Sequence, residues 1–401
     1  MTGNHGTRSK LLQFYAFLAL VYVSDIVVLV GIIWNTYKIT ASSWFLGVVL
    51  SISIITPYLL RKIFPKANLL HLNLKQLFLF RIFIYAVILL VSRTPFSESY
   101  LGITLLIIFY GVLTLSTQSA FEARNTQLVI NKSITSGNAS RVMQTVMQTG
   151  AFVGSLVSGL LSAKYPLAMT LLFISLVDIT LSLIALTLLW NHKDKERVTS
   201  DINTFANKSI EQFKASSDQI ALFFTNGLIG LHIAAFNVLT PIFFQSLNHW
   251  SSQQFGIAAG ISGVGALSAA LLKQGRFSFL LCSILLVIGD TIFCLVQIRL
   301  ISLAACFFIG FSLNTIRIGN RVKMIDSVRD DKDAHPVAAQ SATYFSAFQA
   351  IGPLVMGFLL TNTFFGLGAS KWMLPVAALL IFASIVIQAS VVPNRVTKPD
   401  I

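Results

Sequence analysis

Charge is scarce in this chain. Asp, Glu, Lys and Arg make up 11% of its 401 residues, and only 15 residues are acidic. Water-soluble domains carry about 25% charged residues, so a surface wetted on every side is excluded. Cysteine is scarcer: Cys282, Cys294 and Cys306 lie apart along two apolar segments, lack the clustering of a metal site, and read as small core residues. The sequence offers no nucleophile triad, metal-ligand cluster or phosphate loop. The close glycines of Gly260 to Gly265 sit inside an apolar segment and lack the lysine and hydroxyl pair that a phosphate loop needs. These absences argue against an enzyme and predict neither cofactor nor metal. The opening apolar segment has no short apolar core followed by a small-residue cleavage site, so it is expected to stay in the mature protein.

What the chain has is apolar length. Hydrophobic residues form 55% of it, and a helix needs roughly 20 of them to cross hydrocarbon. By that ruler twelve spans are predicted, near 11–34, 43–60, 74–91, 100–121, 139–162, 166–190, 219–244, 253–272, 277–298, 300–316, 335–362 and 372–392. The expected fold is an all-α membrane protein, its twelve transmembrane helices arranged as two pseudo-symmetric six-helix bundles. These are residues 1–190 and 219–401, joined by a charged cytoplasmic linker, 191–218, in which Ile202 to Phe213 has amphipathic character suited to a lipid surface.

Lys and Arg beside a span are retained on the cytoplasmic side. With the N-terminus inside, most of the 29 basic residues fall on that side, and only Lys38, Arg93, Lys164, Arg299 and Lys371 lie opposite. Arg81 is left within a span, less than two turns past Lys75, and is expected to snorkel. Both termini are therefore expected in the cytoplasm. The net charge of +14 follows from this topology and from attraction to anionic headgroups, and requires no nucleic acid.

The halves repeat each other. Ser42 to Ser53 and Ser251 to Ser262 share the pattern SS-x3-G-x4-I-S, and the six residues from Gly154 to Gly159 are answered by those from Gly352 to Gly357. Gly150, Gly154 and Gly159 in span five, and Gly352 with Pro353 in span eleven, are predicted hinge or interface positions. Glycine lets backbones approach where lipid gives no hydrophobic drive for pairing, and proline deletes a backbone bond. Sliding and static interfaces both use such residues.

Over essentially its whole length, a chain duplicated in this way resembles the major facilitator superfamily. Asp25 to Gly47 is similar to the first two helices of the branch that includes bacterial enterobactin and drug exporters. Ser119 to Val129, with Asn138 and Ala139, is similar to helices four and five there. The run Gly150 to Gly159 resembles the helix-five antiporter motif, which implies export in exchange for protons; Ser155 stands where that motif has proline. After span two, Arg61 and Lys62 arrive without the family's acidic residue. The resemblance implies a monomeric secondary transporter of the bacterial inner membrane, whose partners are a small-molecule substrate, protons and membrane lipid. The substrate expected is polar or amphiphilic, siderophore or drug-like. Uptake of an iron chelate or nutrient, or a scaffold or sensor that moves nothing, stays open on the same fold.

Ionised groups inside a membrane persist only if paired, hydrated or used. Asp25 lies near mid-depth in span one. The resemblance places spans one, four, seven and ten around a central cavity, so this carboxylate is expected to face water and couple proton movement, or else to hold helices together. Glu122, one turn from Gln118 on span four, is the second proton-coupling candidate, or a partner of Arg124 or Arg141. Gln148 shares a polar stripe with Arg141, Gln144 and Ser155. Asn226 and Asn237 fall on one face of span seven, which Pro241 is expected to break. Asn314 and Arg317 end span ten, where Arg317 holds an anionic group or snorkels. Gln118, Gln148, Asn226, Asn237, Asn314 and Arg317 are the substrate-binding candidates. Asp178 and Asp290 are expected to have buried structural partners, and His232 to be a satisfied packing residue.

Overall fold

A computed structural model describes residues 3–63, 72–130, 132–190, 215–271, 279–328 and 331–391. The linker stretch 191–214, with Ile202 to Phe213, lies outside the described residues. Among those described there are twelve long helices and no strand. They are α1 Gly3–Thr40, α2 Ser43–Ile63, α3 Leu74–Ser92, α4 Tyr100–Ile130, α5 Ser136–Lys164 and α6 Leu167–Trp190. The second set is α7 Ser217–Ile242, α8 Ser252–Leu271, α9 Phe279–Leu295, α10 Arg299–Asp326, α11 Asp331–Leu359 and α12 Ser370–Val391. Eleven are long and apolar enough to cross a membrane, and α9 is a shorter apolar helix. The protein is a multi-pass membrane protein.

Local chemistry sets where the helices begin. The first N–H groups of a helix have no partner within it. At α3, Asn73 and Gln76 satisfy them in a reciprocal capping box; at α7, Ser216 and Gln219 do the same. Ala41 and His249 adopt left-handed φ values of 48° and 52° just before the two serine pairs, turning the chain tightly into α2 and α8. Pro241 does not break α7 as expected. The helix runs past it to Ile242 and then widens into a π turn over Phe243–Leu247, closed by the Asn248 N–H donating to the Phe243 carbonyl at 3.0 Å.

Helices α1–α6 pack mainly on one another, as do α7–α12. The same contacts recur in both halves: Gly111 of α4 lies against Ser53 of α2, and Gly310 of α10 lies against Ser262 of α8. Helices α3, α6, α9 and α12 turn exposed apolar side chains outward, among them Phe83, Leu183, Ile288 and Leu379, as lipid contact requires. The halves join through α2 with α11 and α5 with α8, and less extensively through α1 with α7. One apolar cluster runs across that joint, with Trp34 of α1 stacked on Phe255 of α8 at 5.3 Å.

Candidate functional site

The repeated serine and glycine patterns meet at the joint. Gly47 of α2 abuts the Pro353 carbonyl and the Gly357 Cα of α11, and Gly256 of α8 abuts the Ser155 carbonyl and the Gly159 Cα of α5. A methyl group at Gly159 would stand 2.7 Å from the Gly256 Cα and 2.8 Å from the Ser252 carbonyl oxygen; one at Gly357 would stand 2.5 Å from that of Ser43. Carbon contacts settle at about 3.5–4.0 Å, so only glycine fits. The two crossings are one contact made twice, related by a pseudo-twofold axis that exchanges the halves. Ser43 Oγ donates to the Gly357 carbonyl at 3.0 Å, the Tyr37 and Ser246 hydroxyls meet at 2.6 Å, and Gln245 Nε2 donates to the Trp34 carbonyl at 2.9 Å. These bonds gather at the face where α1 turns into α2 and α7 into α8, here termed the hairpin face. Of the interface candidates, Gly159 and Pro353 sit in the crossings. Gly150 and Gly154 pack instead on Tyr22, Val23 and Ile26 of α1, and Gly352 packs on Leu231 and Ala234 of α7.

Asp25 faces into the N-terminal bundle rather than toward the other half. Its carboxylate is buried, and Arg81 of α3 grips it with Nη2 at 2.8 Å and Nη1 at 3.1 Å, while the Tyr85 hydroxyl donates at 3.0 Å. The same guanidinium holds Asp178 of α6 through Nη2 at 2.6 Å and Nε at 3.3 Å, and Nη1 also donates to Thr117 Oγ1 of α4 at 2.9 Å. All five N–H donors of Arg81 are thus engaged. Two expectations are corrected here. The water-facing carboxylate is sealed within the N-terminal bundle, because α1 turns that face toward α3 and α6. Arg81 does not snorkel, because two acids at its own depth satisfy its whole fork. Asp178 has the buried partner expected of it. Each of the three in-span charges, Asp25, Arg81 and Asp178, was visible in the sequence, but nothing along the chain showed that they meet.

Two amides are likewise committed to packing. Asn314 Nδ2 donates to the Ala266 carbonyl at 2.6 Å, tying α10 to α8, and Asn226 Nδ2 donates to Ser341 Oγ at 2.9 Å, tying α7 to α11. Each is interhelical glue rather than a free donor. Asn237 and Gln148 are half-buried and make no hydrogen bond among the described residues. On α4, Gln118 Nε2 donates to Oε1 of an exposed Glu122 at 3.1 Å. Arg317 of α10 makes no ion pair among the described residues, and its guanidinium lies 5.3 Å over the Phe345 ring of α11. Its side chain is exposed. Cation and ring form a site that attracts an anionic group and stacks against a flat one.

No protein-family model and no curated protein matches the sequence. Solved structures do match in fold. A bacterial homologue of the human lysosomal transporter Spinster, inward-facing and occupied, aligns with a TM-score of 0.69 over 98% of this chain and 99% of its own, at 12% identity. A bacterial metal transporter gives 0.69 over 94% and 98%, at 14% identity. The nucleoside transporter NupG gives 0.62 over 92% and 98%, at 14% identity. The chain has the major facilitator fold. Its two six-helix bundles meet at the hairpin face through the twofold-related glycine crossings. The major facilitator neighbours are transporters rather than enzymes. At such identities the likeness concerns the fold and selects no branch within it.

Proposed function

We propose that the protein is a secondary active transporter that works by alternating access, carrying a small polar or amphiphilic solute through the gap between its bundles. One observation carries this reading. Symmetric glycine crossings close the hairpin face, while Arg317, Gln118, Glu122 and Gln148 stand on helices α10, α4 and α5 as polar groups open to water or half-buried. Two rigid bundles joined at one face are suited to rock about that joint. Arg317, with no ion pair among the described residues, favours a solute with an anionic group, and Gln148 and Asn237 retain amides that donate and accept.

Exposed Glu122, rather than sealed Asp25, is the acid from which protons and solute are both within reach, and a proton there competes with or opposes solute binding. Export of a siderophore-like or drug-like compound is supported by the Gly150 to Gly159 resemblance. A bacterial inner membrane and cytoplasmic termini follow from the distribution of basic residues. Whole-cell accumulation tests direction: a deletion strain that retains the compound indicates export, and one that fails to acquire it indicates uptake. Single cysteines at Ser246, on the hairpin face, and at Ala123, exposed on α4, test the cycle itself. Their labelling from the two membrane faces should change in opposite senses when solute is added, and labelling that never changes would mark a scaffold.

A further inference from the structure

The C-terminal half holds a buried ionisable pair that the transport reading does not use. Nε2 of His232, on α7, lies 2.7 Å from Oδ2 of Asp290, on α9, and both side chains are fully buried. The offset that relates Ser43 to Ser252 and Gly47 to Gly256 also carries Arg81 onto Asp290. The pair therefore occupies the place that the Asp25, Arg81 and Asp178 cluster holds in the other half. The two centres differ in how completely they are bonded. Arg81 and all four carboxylate oxygens around it have partners. Nδ1 of His232 and Oδ1 of Asp290 have none among the described residues. A guanidinium that never loses its charge is thus answered by an imidazole, the side chain that titrates within the physiological range.

The geometry points to a proton-binding site at the α7–α9 seam, formed by His232 and Asp290, which gains or loses one proton through the ring Nδ1 or the carboxyl Oδ1. With a neutral ring and an ionised acid the pair carries one negative charge; one added proton makes it neutral, wherever that proton rests. A net charge closed off from water is costly, and the cost falls once the seam opens. Proton exchange is thereby tied to movement of α7 against α9. The ionisable groups facing Asp290 are the thiols of Cys294 on α9 and Cys306 on α10. From α12, Ser384 and Gln388 turn to Thr225 instead, and among the described residues α11 directs no charged group at the pair. Residues flanking His232 hold α11: Gly230 packs on Phe345, and Leu231 and Ala234 pack on Gly352. Since α11 carries Pro353 and Gly357, a shift at the seam reaches the joint between the halves.

The test needs no solute. Full-length protein in lipid nanodiscs is titrated between about pH 5 and pH 9 and followed by infrared difference spectroscopy. The wild type should show an imidazole band that titrates together with a carboxyl band. His232→Gln should remove one imidazole component and leave those of the other five histidines, and Asp290→Asn should remove the carboxyl component that titrates with it and displace that one imidazole component. Titrations identical in the wild type and both variants overturn the site. Should either variant fail to fold, nitrogen-labelled histidine in the wild type decides by magnetic resonance: a buried ring whose Nδ1 changes protonation across the range supports the site, and one fixed throughout overturns it. A failed transport assay leaves this result standing, and the reverse also holds.

Discussion

Arg81 and Arg317 are the same side chain in opposite circumstances. The first has every donor matched inside a bundle; the second stands over an aromatic ring and makes no ion pair among the described residues. Removing one member of a buried ionic group strands its partners, at about 3–5 kcal/mol. Arg81→Leu, which strands two acids, should therefore lower thermal stability in detergent far more than Asp25→Asn, which leaves Asp178 to balance the guanidinium. The opposite order would mean that Asp25 has a role beyond that cluster. Arg317→Gln should leave stability unchanged. It should weaken transport of an anionic solute by removing charged hydrogen bonds of about 1.5–3 kcal/mol, read as a rise in KM of roughly tenfold or more.

At the scale of helices, the glycines divide by what they face. Gly150, Gly154 and Gly352 serve packing within a bundle, whereas Gly47, Gly159, Gly256 and Gly357 serve packing between bundles. Gly159→Val places a branched side chain against the α8 backbone, where overpacking costs about 1–3 kcal/mol. Because that contact exists only while the hairpin face is closed, the variant should fold and open there. Cysteine labelling near Trp34 from the hairpin side should then rise. Gly154→Val should instead disturb α1 and lower stability without that gain in labelling.

For the whole molecule, the joint must part if the bundles rock. Cysteines replacing Tyr37 and Ser246, whose hydroxyls meet across the joint at 2.6 Å, should hold the hairpin face shut when a short bifunctional methanethiosulfonate bridges them through disulfides. Transport by the bridged protein should fall to background and return on reduction. Full transport with the bridge formed would exclude movement at this joint.

Membrane residence, twelve helices and the duplication were legible in the sequence, because hydropathy and repeat are properties of the chain read along its length. The serine and glycine patterns even marked the residues that meet at the joint, since close backbone approach in lipid leaves few other choices than glycine. What the sequence left undecided was how each helix is rotated about its own axis. That rotation turned Asp25 from water toward Arg81, drew Asn226 and Asn314 into helix pairing, brought His232 to Asp290 and left Arg317 open. It is fixed by the packing of neighbouring helices, which lie far away along the chain, so only the tertiary structure could decide it.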